Sequence, residues 1–413
     1  MRSVELFTGA GGLALGCDIA GFKPVRVVER DRWACDTIRE NRDVSYPLVT
    51  NWDVVEGDVR AVDWSDITED IDLVAGGPPC QPFSMGGKAR AADDERDMFP
   101  ATTEVIRQLE PRAFIVENVR GLTRTAFSNY FQYILLRLEH PELVSREGET
   151  WVDHLQRLQS EHTSVPSGAL AYNVVPTLVN AADYGVPQQR WRVFIVGFRS
   201  DVDAEWSFPE PSHSYDALLY SQWVTEDYWD RHRISKRARG TVPKRAQRRV
   251  AALREAGPPV ERPWRTVRDA IGNLPEPSRK GSPKHLNHVL QPGARSYPGH
   301  TGSYIDLPAK ALKAGVHGVP GGENMLLRTD GSVRYFTVRE AARLQTFPDR
   351  YELHGAWSEA MRQLGNAVPV LLAQKVAGSV AEHLAQAAVR EELARRKAAR
   401  STKPKSARRR ATA

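Results

Sequence analysis

The chain predicts an open α/β sheet with helices on both faces, plus a smaller irregular domain inserted before the C-terminal helices. Three observations predict it. A strand, a glycine loop, a helix and a second strand ending on an acid follow one another from Ser3 to Glu29. Later apolar runs, Ile71–Ala75 and Ala113–Val119, each end on residues that can carry chemistry. Periodic structure then fades from about Ser200 to Tyr335 and returns with helical spacing at Thr337, which makes the major domain discontinuous. The expected division is 1–199 for a catalytic and cofactor-binding domain and 200–335 for the insertion. Residues 336–389 return to the first domain, and 390–413 form a basic tail expected to be unfolded.

Ser3-Val4-Glu5-Leu6-Phe7 is the first strand and runs into Thr8-Gly9-Ala10-Gly11-Gly12 and the helix Leu13–Ala20. Val25–Val28 is the second strand, ending at Glu29, and a helix follows from about Arg32 to Asn41. The glycines let a cofactor approach the backbone, and Glu29, twenty residues after Gly9, stands where a ribose hydroxyl is held. Spacing alone leaves NAD and S-adenosylmethionine both open. Gly57-Asp58-Val59 is an acid-bearing turn, with Asp58 either accepting from an adenine amino group or capping the turn.

The fourth strand delivers Gly76-Gly77-Pro78-Pro79-Cys80-Gln81-Pro82-Phe83-Ser84. Neither Gly-Gly nor Pro-Pro fits a strand or helix interior, so Cys80 is expected on a stiff loop at a strand's carboxyl end. That is where open α/β sheets place their chemistry, and Cys80 is a candidate nucleophile. Ser84 to Arg96 has the small, polar, glycine-hinged composition of a lid. The next strand, Ala113–Val119, brings Glu117 to its carboxyl end beside that of Cys80, and burial raises a carboxyl pKa. Further on, a helix (Phe127–Leu138) and a polar insert (140–168) precede strands around Val174-Val175 and Val193–Val196. Between these, Gln188, Arg190 and Arg192 alternate and are expected to share a face, where two guanidiniums require an anion.

Charge is segregated. The chain of 413 residues carries a net +6, yet ten Lys/Arg and no Asp/Glu lie between Arg231 and Arg254. Ten more face only Glu391 and Glu392 from Arg390 onward, so the remaining body is acidic. Such a distribution implies a polyanionic partner held by particular regions. Tyr220, Trp223, Tyr228 and Trp229 precede the first basic run, and aromatics beside cations suit nucleic-acid contact. Three cysteines without a CxxC pair argue against a disulfide framework or a metal site, and no apolar run approaches ~20 residues, the length of a membrane span. With Met1 leading directly into a strand, a cytoplasmic protein is expected.

Together these motifs closely resemble, in order, the C5-cytosine DNA methyltransferase family of the bacterial restriction-modification type. They are Glu5–Gly12, Gly76–Ser84, Glu117-Asn118-Val119, Gln188-x-Arg190-x-Arg192, Arg343-Leu344-Gln345-x-Phe347-Pro348 and Gly365-Asn366-Ala367-Val368-Pro369. One departure is Glu5-Leu6-Phe7-Thr8, where the family commonly has Asp-Leu-Phe-Ala. The resemblance implies a Rossmann-like S-adenosylmethionine-dependent sheet with a target-recognition domain over 200–335. The cofactor would lie on Phe7, Gly9, Gly11, Gly12, Glu29, Asp58, Pro79, Asn366 and Val368. Cys80 would add to C6 of a flipped cytosine, Glu117 would hold N3, and Arg192 with Arg190 would hold O2 and a flanking phosphate. Ser84, Arg96, Arg237, Arg239, Lys244 and Arg245 would contact double-stranded DNA. The implied enzyme is a monomer, with a cognate restriction endonuclease as a candidate partner. The competing readings are a tRNA cytosine-5 methyltransferase of the same family and a non-catalytic DNA-binding regulator. NAD-dependent redox chemistry is remote, since nothing in Pro79–Pro82 serves hydride transfer.

Overall fold

The computed structural model describes residues 1–79, 97–161, 168–298, 300–314 and 322–401. Eight strands precede the inserted region: β1 (Arg2–Leu6), β2 (Lys23–Glu29), β3 (Val54–Glu56), β4 (Leu73–Gly76), β5 (Ala113–Val119), β6 (Tyr172–Asn180), the two-residue β7 (Gln188–Gln189) and β8 (Trp191–Arg199). Among the described residues, seven of them form one sheet in the order β3-β2-β1-β4-β5-β8-β6. The first five are parallel to their neighbours, and β8 runs antiparallel between β5 and β6. Strand order reverses between β1 and β4, which places a crevice at the carboxyl ends of β1, β2, β4 and β5.

Alternation divides the strands between two cores. Ala113, Ile115, Phe194, Val196 and Phe198 pack with Leu13 and Cys17 of α1 (Gly12–Ile19) and with Leu372, Val376, Val380 and Leu384 of the long C-terminal helix. Phe114, Val116, Val193 and Ile195 face the opposite side. There they meet α3 (Phe99–Leu109), α4 (Ser128–Glu139) and α5 (Trp151–Glu161). Strands covered on both faces need apolar residues at every position, which is why their sequences read as unbroken apolar runs. The polar insert thus contributes a helix, α5, whose His154 Nδ1 lies 3.0 Å from the Tyr133 hydroxyl on α4.

α2 (Arg32–Asp43) begins on Asp31, whose carboxylate accepts from Ala34 N at 3.1 Å. The middle region is more ordered than its composition suggests. It holds β9 (His213–Ser214), α6 (Tyr215–Trp223), α7 (Asp227–Arg231), α8 (Gln247–Ala256), β10 (Arg262–Pro263) and α9 (Val267–Ile271). Then come β11 (Ser303–Tyr304), β12 (Ala309–Lys310), β13 (Met325–Leu327) and β14 (Val333–Tyr335). Tyr228 and Trp229 are buried with Leu218, and Trp223 packs edge-on against Trp229. Tyr228 and Trp229 therefore build a small core in this region and offer no face to bases.

Two helices, α10 (Val338–Leu344) and α11 (Trp357–Asn366), lead into α12 (Val370–Ser401). The sequence places Gln363–Pro369 at the opening of the long helix. Instead Gln363–Asn366 close α11, and Ala367 is extended (φ −63°, ψ 146°). Pro369 supplies no N–H and so forces a new start at Val370. At its other end, α12 continues through Ser401, past Arg390, where an unfolded tail is expected from composition. Arg112 reaches Glu391 at 3.1 Å, and Arg396 meets Glu392 at 2.6 Å one turn apart. Alanine-rich sequence with such pairs favours helix. Among the described residues, no helix is long and apolar enough to cross a membrane.

Candidate active site

The glycine loop is shaped by residues with left-handed backbone. Phe7 (φ 52°), Gly9 (φ 55°) and Gly11 (φ 91°) turn the chain away from β1 and into α1. Glu29 at the end of β2 braces this turn: its Oε2 accepts from Gly9 N at 2.7 Å and its Oε1 from Asp31 N at 2.7 Å. Each oxygen retains a lone pair for a hydroxyl donor. Thr8, which with Glu5 departs from the family pattern, places its hydroxyl 3.2 Å from both Glu5 O and Val28 O, tying β1 to β2 beneath the loop.

Gly12 touches the last of the motifs. A Cβ there would lie 2.3 Å from Val368 O, so the loop and the α11–α12 junction are in direct contact. Val368 is buried and the Asn366 side chain is exposed beside it. Gln345 braces the junction, donating from Nε2 to Leu364 O and Ala367 O. Asp58 sits at the end of β3 and its two oxygens take Arg60 N, Nε and NH2 at 2.7–3.0 Å, which pulls its pKa down to about 2. It therefore caps a turn, one of the two roles that its sequence context allows.

The second half of the site lies at the ends of β4, β5 and β8. Cys80, Ser84 and Arg96 fall outside the described residues. The chain leading to Cys80 is held nonetheless: Asn118 Nδ2 donates to Pro78 O at 3.1 Å, and exposed Pro79 follows. Gly77 closes on Glu117, since a Cβ at residue 77 would meet its Oε2 at 3.1 Å. Glu117 is buried, and Arg192 Nε lies 2.6 Å from its Oε1 without hydrogen-bond alignment. Burial pushes the Glu117 carboxyl above its ordinary value, and the guanidiniums of Arg192 and Arg190 oppose that rise without cancelling it. A carboxyl whose proton affinity is raised by burial is suited to donating a hydrogen bond to a ring nitrogen.

Arg190 departs from the expected role. It is fully buried, and its two terminal nitrogens donate to Leu312 O at 3.0 Å and Gly365 O at 2.7 Å. The strand breaks at Arg190 between β7 and β8, so the guanidinium turns inward to satisfy carbonyls and joins the insertion to α11. Gln188 is buried too, donating to Leu344 O at 3.3 Å and accepting from Leu312 N at 3.0 Å. Of the three alternating residues, Arg192 alone stays with the acid. Arg239 is likewise committed elsewhere: it bonds Ile234 O at 3.0 Å and pairs with Glu226 and Asp230, both at 2.5 Å. Arg237, Lys244 and Arg245 are exposed. Motif reading does not single out Asn118 as a functional residue, although its place directly after Glu117 marks it as the neighbour that faces the Pro-Pro turn.

A mostly parallel sheet with its glycine loop and two strand-end acids on one crevice marks a nucleotide-fold group-transfer enzyme. The model of the C-5 cytosine-specific DNA methylase family matches residues 1–142 and 167–382, and the chain belongs to that family. It is a DNA (cytosine-5-)-methyltransferase whose methyl donor is S-adenosylmethionine. Similar proteins include the Type II methyltransferase M.Eco47II of Escherichia coli, 32% identical over 91% of this chain and 78% of its own. Another is M.PspPI of Psychrobacter sp. (strain TA137), 29% identical over 91% of this chain and 78% of its own. M.NgoPII of Neisseria gonorrhoeae is 28% identical over 93% and 96%. In fold, the S. pombe Dnmt2 methyltransferase superposes with a TM-score of 0.52, covering 94% of this chain and 99% of its own at 16% identity.

The residues fit the cofactor. Side chains added at Gly9 or Gly57 would meet nothing within 4 Å, so open space lies over the loop and beside the Asp58 turn. Glu29 keeps lone pairs toward that space.

Proposed function

We propose that this enzyme methylates a cytosine flipped out of a specific site in duplex DNA, through a bond between Cys80 and C6, and protects that site in a restriction-modification system. The observation that carries the reading is the pairing of buried Glu117 with Arg192 at the strand ends beside the Pro78–Pro79 turn. Cytosine C5 is too weakly nucleophilic to take a methyl group unaided. Addition of the Cys80 thiolate at C6 pushes electron density through the ring to N3 and to C5. Glu117, whose carboxyl burial pushes above its ordinary value, donates to N3 and stabilises that density. Arg192 holds the O2 side of the base. Once C5 is substituted, loss of its proton restores the ring and releases Cys80 as thiolate.

S-adenosylmethionine, when bound, supplies the electrophilic methyl group. Phe7, Gly9, Gly11 and Gly12 line its loop and Glu29 receives its ribose hydroxyls. Asp58 and Pro79 border it, and Asn366 and Val368 close its methionine end. None of the cytosine's reacting atoms is reachable inside a duplex, so the base leaves the stack at a cost of a few kcal/mol, which phosphate contacts offset. The insertion over 200–335 chooses the site, with Arg237, Lys244 and Arg245 supplying cations to the backbone. The enzyme works as a monomer in the cytoplasm, and a restriction endonuclease reading the same site is its expected partner.

Bisulfite sequencing of DNA from a methylation-free host expressing the chain should reveal one methylated sequence, and Cys80→Ser should abolish it while S-adenosylmethionine still binds. Purified protein should label plasmid DNA and leave tRNA unlabelled. Turnover by the Cys80→Ser variant, or tRNA as the preferred acceptor, would overturn the proposal.

A further inference from the structure

Resting on the reading above, we infer that Arg120, laid on the indole of Trp191, is a phosphate clamp that grips the DNA backbone at the mouth of the active site. Both residues flank the catalytic pair. Arg120 follows β5 three residues after Glu117, and Trp191 opens β8 immediately before Arg192. Across the two strands Val119 stands opposite Arg192, so one step from that register brings the chain to Arg120 on one side and Trp191 on the other. Alternation turns the Trp191 ring to the sheet face opposite Arg192. There it is 42% exposed, with the Arg120 guanidinium carbon 5.3 Å from its centroid.

The charges around this pair set it apart from the arginines that carboxylates hold. Arg26, Arg239, Arg249 and Arg268 are each neutralised by carboxylates. No carboxylate pairs with Arg120 among the described residues, and Arg120 is exposed. A guanidinium resting on an aromatic ring is held in plane with its N–H edge turned outward. That edge matches two oxygens of a phosphate, and the DNA substrate presents a phosphodiester backbone on either side of the base delivered to Glu117. Contacts of this kind position the duplex and carry no sequence information. Arg120 is therefore a positioning residue and Trp191 is its platform.

The test uses the full-length enzyme with Arg120→Gln, Arg120→Lys, Trp191→Phe and Trp191→Ala. Initial rates of methyl transfer are measured against plasmid DNA over a series of salt concentrations, with the KM for S-adenosylmethionine and Tm alongside. Arg120→Gln should raise the KM for DNA roughly tenfold and flatten the log–log salt slope by ~0.9, the share of one phosphate, equally at every methylated site. Arg120→Lys should recover the slope but only part of the affinity, because an ammonium lacks the planar fork. Trp191→Phe should stay near wild type and Trp191→Ala should approach Arg120→Gln. The KM for S-adenosylmethionine should not move. A wild-type salt slope in Arg120→Gln, or a weakening that tracks a lowered Tm, overturns the clamp. A wild-type enzyme that methylates no DNA sinks the proposed function instead, so the two failures are distinguishable.

Discussion

Glu117 and Arg192 meet across antiparallel strands with 2.6 Å between Oε1 and Nε, in a site where burial pushes the acid above its ordinary value despite the adjacent cation. The guanidinium opposes the rise in the proton affinity of Glu117 without overcoming desolvation, so this acid keeps its proton to a higher pH than an ordinary carboxyl does. Glu117→Gln keeps a neutral hydrogen-bond donor but cannot transfer a proton. It is expected to lower kcat by ~10²–10⁴-fold with little change in the KM for S-adenosylmethionine. Single-turnover labelling of plasmid DNA checks this. A kcat within a few-fold of wild type would remove Glu117 from the chemistry.

The contact between Gly12 and Val368 yields a second prediction. A methyl group at residue 12 would lie 2.3 Å from a backbone carbonyl, which cannot rotate away as a side-chain end can. Gly12→Ala must move the α11–α12 junction, and overpacking of this sort costs about 1–3 kcal/mol. Thermal unfolding should report the destabilisation, and the KM for S-adenosylmethionine should rise because Asn366 and Val368 border the same space. Gly9→Ala separates backbone strain from steric overlap: its φ of 55° disfavours a side chain, yet nothing lies within 4 Å of the added Cβ. If Gly12→Ala binds the cofactor as wild type does, the junction is not part of its pocket.

The division of labour among the basic residues is only half legible in the sequence. Glycines, strand-end acids and the Pro-Pro turn announce themselves because few residue types satisfy their local geometry, so motifs suffice to place the sheet and its crevice. Arginines carry no such mark. Arg190 and Arg192 look alike in an alternating strand, but the interruption of the strand between β7 and β8 turns the first onto Leu312 O and Gly365 O. Arg239 sits in a run without a single acid, yet Glu226 and Asp230, earlier in the chain, fold back onto it. Tyr228 and Trp229 likewise belong to a small core that composition alone does not reveal.

That distinction is measurable in DNA binding. Replacing Arg237, Lys244 and Arg245 together by Ala should reduce the salt slope of DNA binding by up to ~0.9 for each phosphate no longer neutralised, with Tm unchanged. Arg239→Ala should do the reverse, lowering Tm while leaving the slope alone, because its guanidinium holds the turn after α7. Fluorescence anisotropy on a labelled duplex at several salt concentrations, paired with thermal scans, separates the two. An unchanged slope in the triple variant would place the DNA on another face of the insertion.

Glu5 gives a pH dependence independent of catalysis. It is buried under the glycine loop, accepts from Ser3 Oγ at 2.9 Å, and burial raises its pKa from 4.5 to about 8. The folded protein therefore binds this proton more tightly than the unfolded chain. Its stabilising contribution is complete below about pH 4.5, declines as pH rises toward 8, and is absent above that. Glu5→Gln keeps the buried neutral group and removes the titration, so the variant should gain on the wild type as pH rises from 5 to 8.5. The charge of Asp18 adds to the rise, whereas hydrogen bonds from Ser3 and Cys17 oppose it, and desolvation outweighs both bonds. Denaturant unfolding of both proteins at several pH values measures the gap. A gap that stays constant between pH 5 and 8.5 would mean that Glu5 keeps one protonation state throughout, and the coupling between this buried acid and the fold would have to be abandoned.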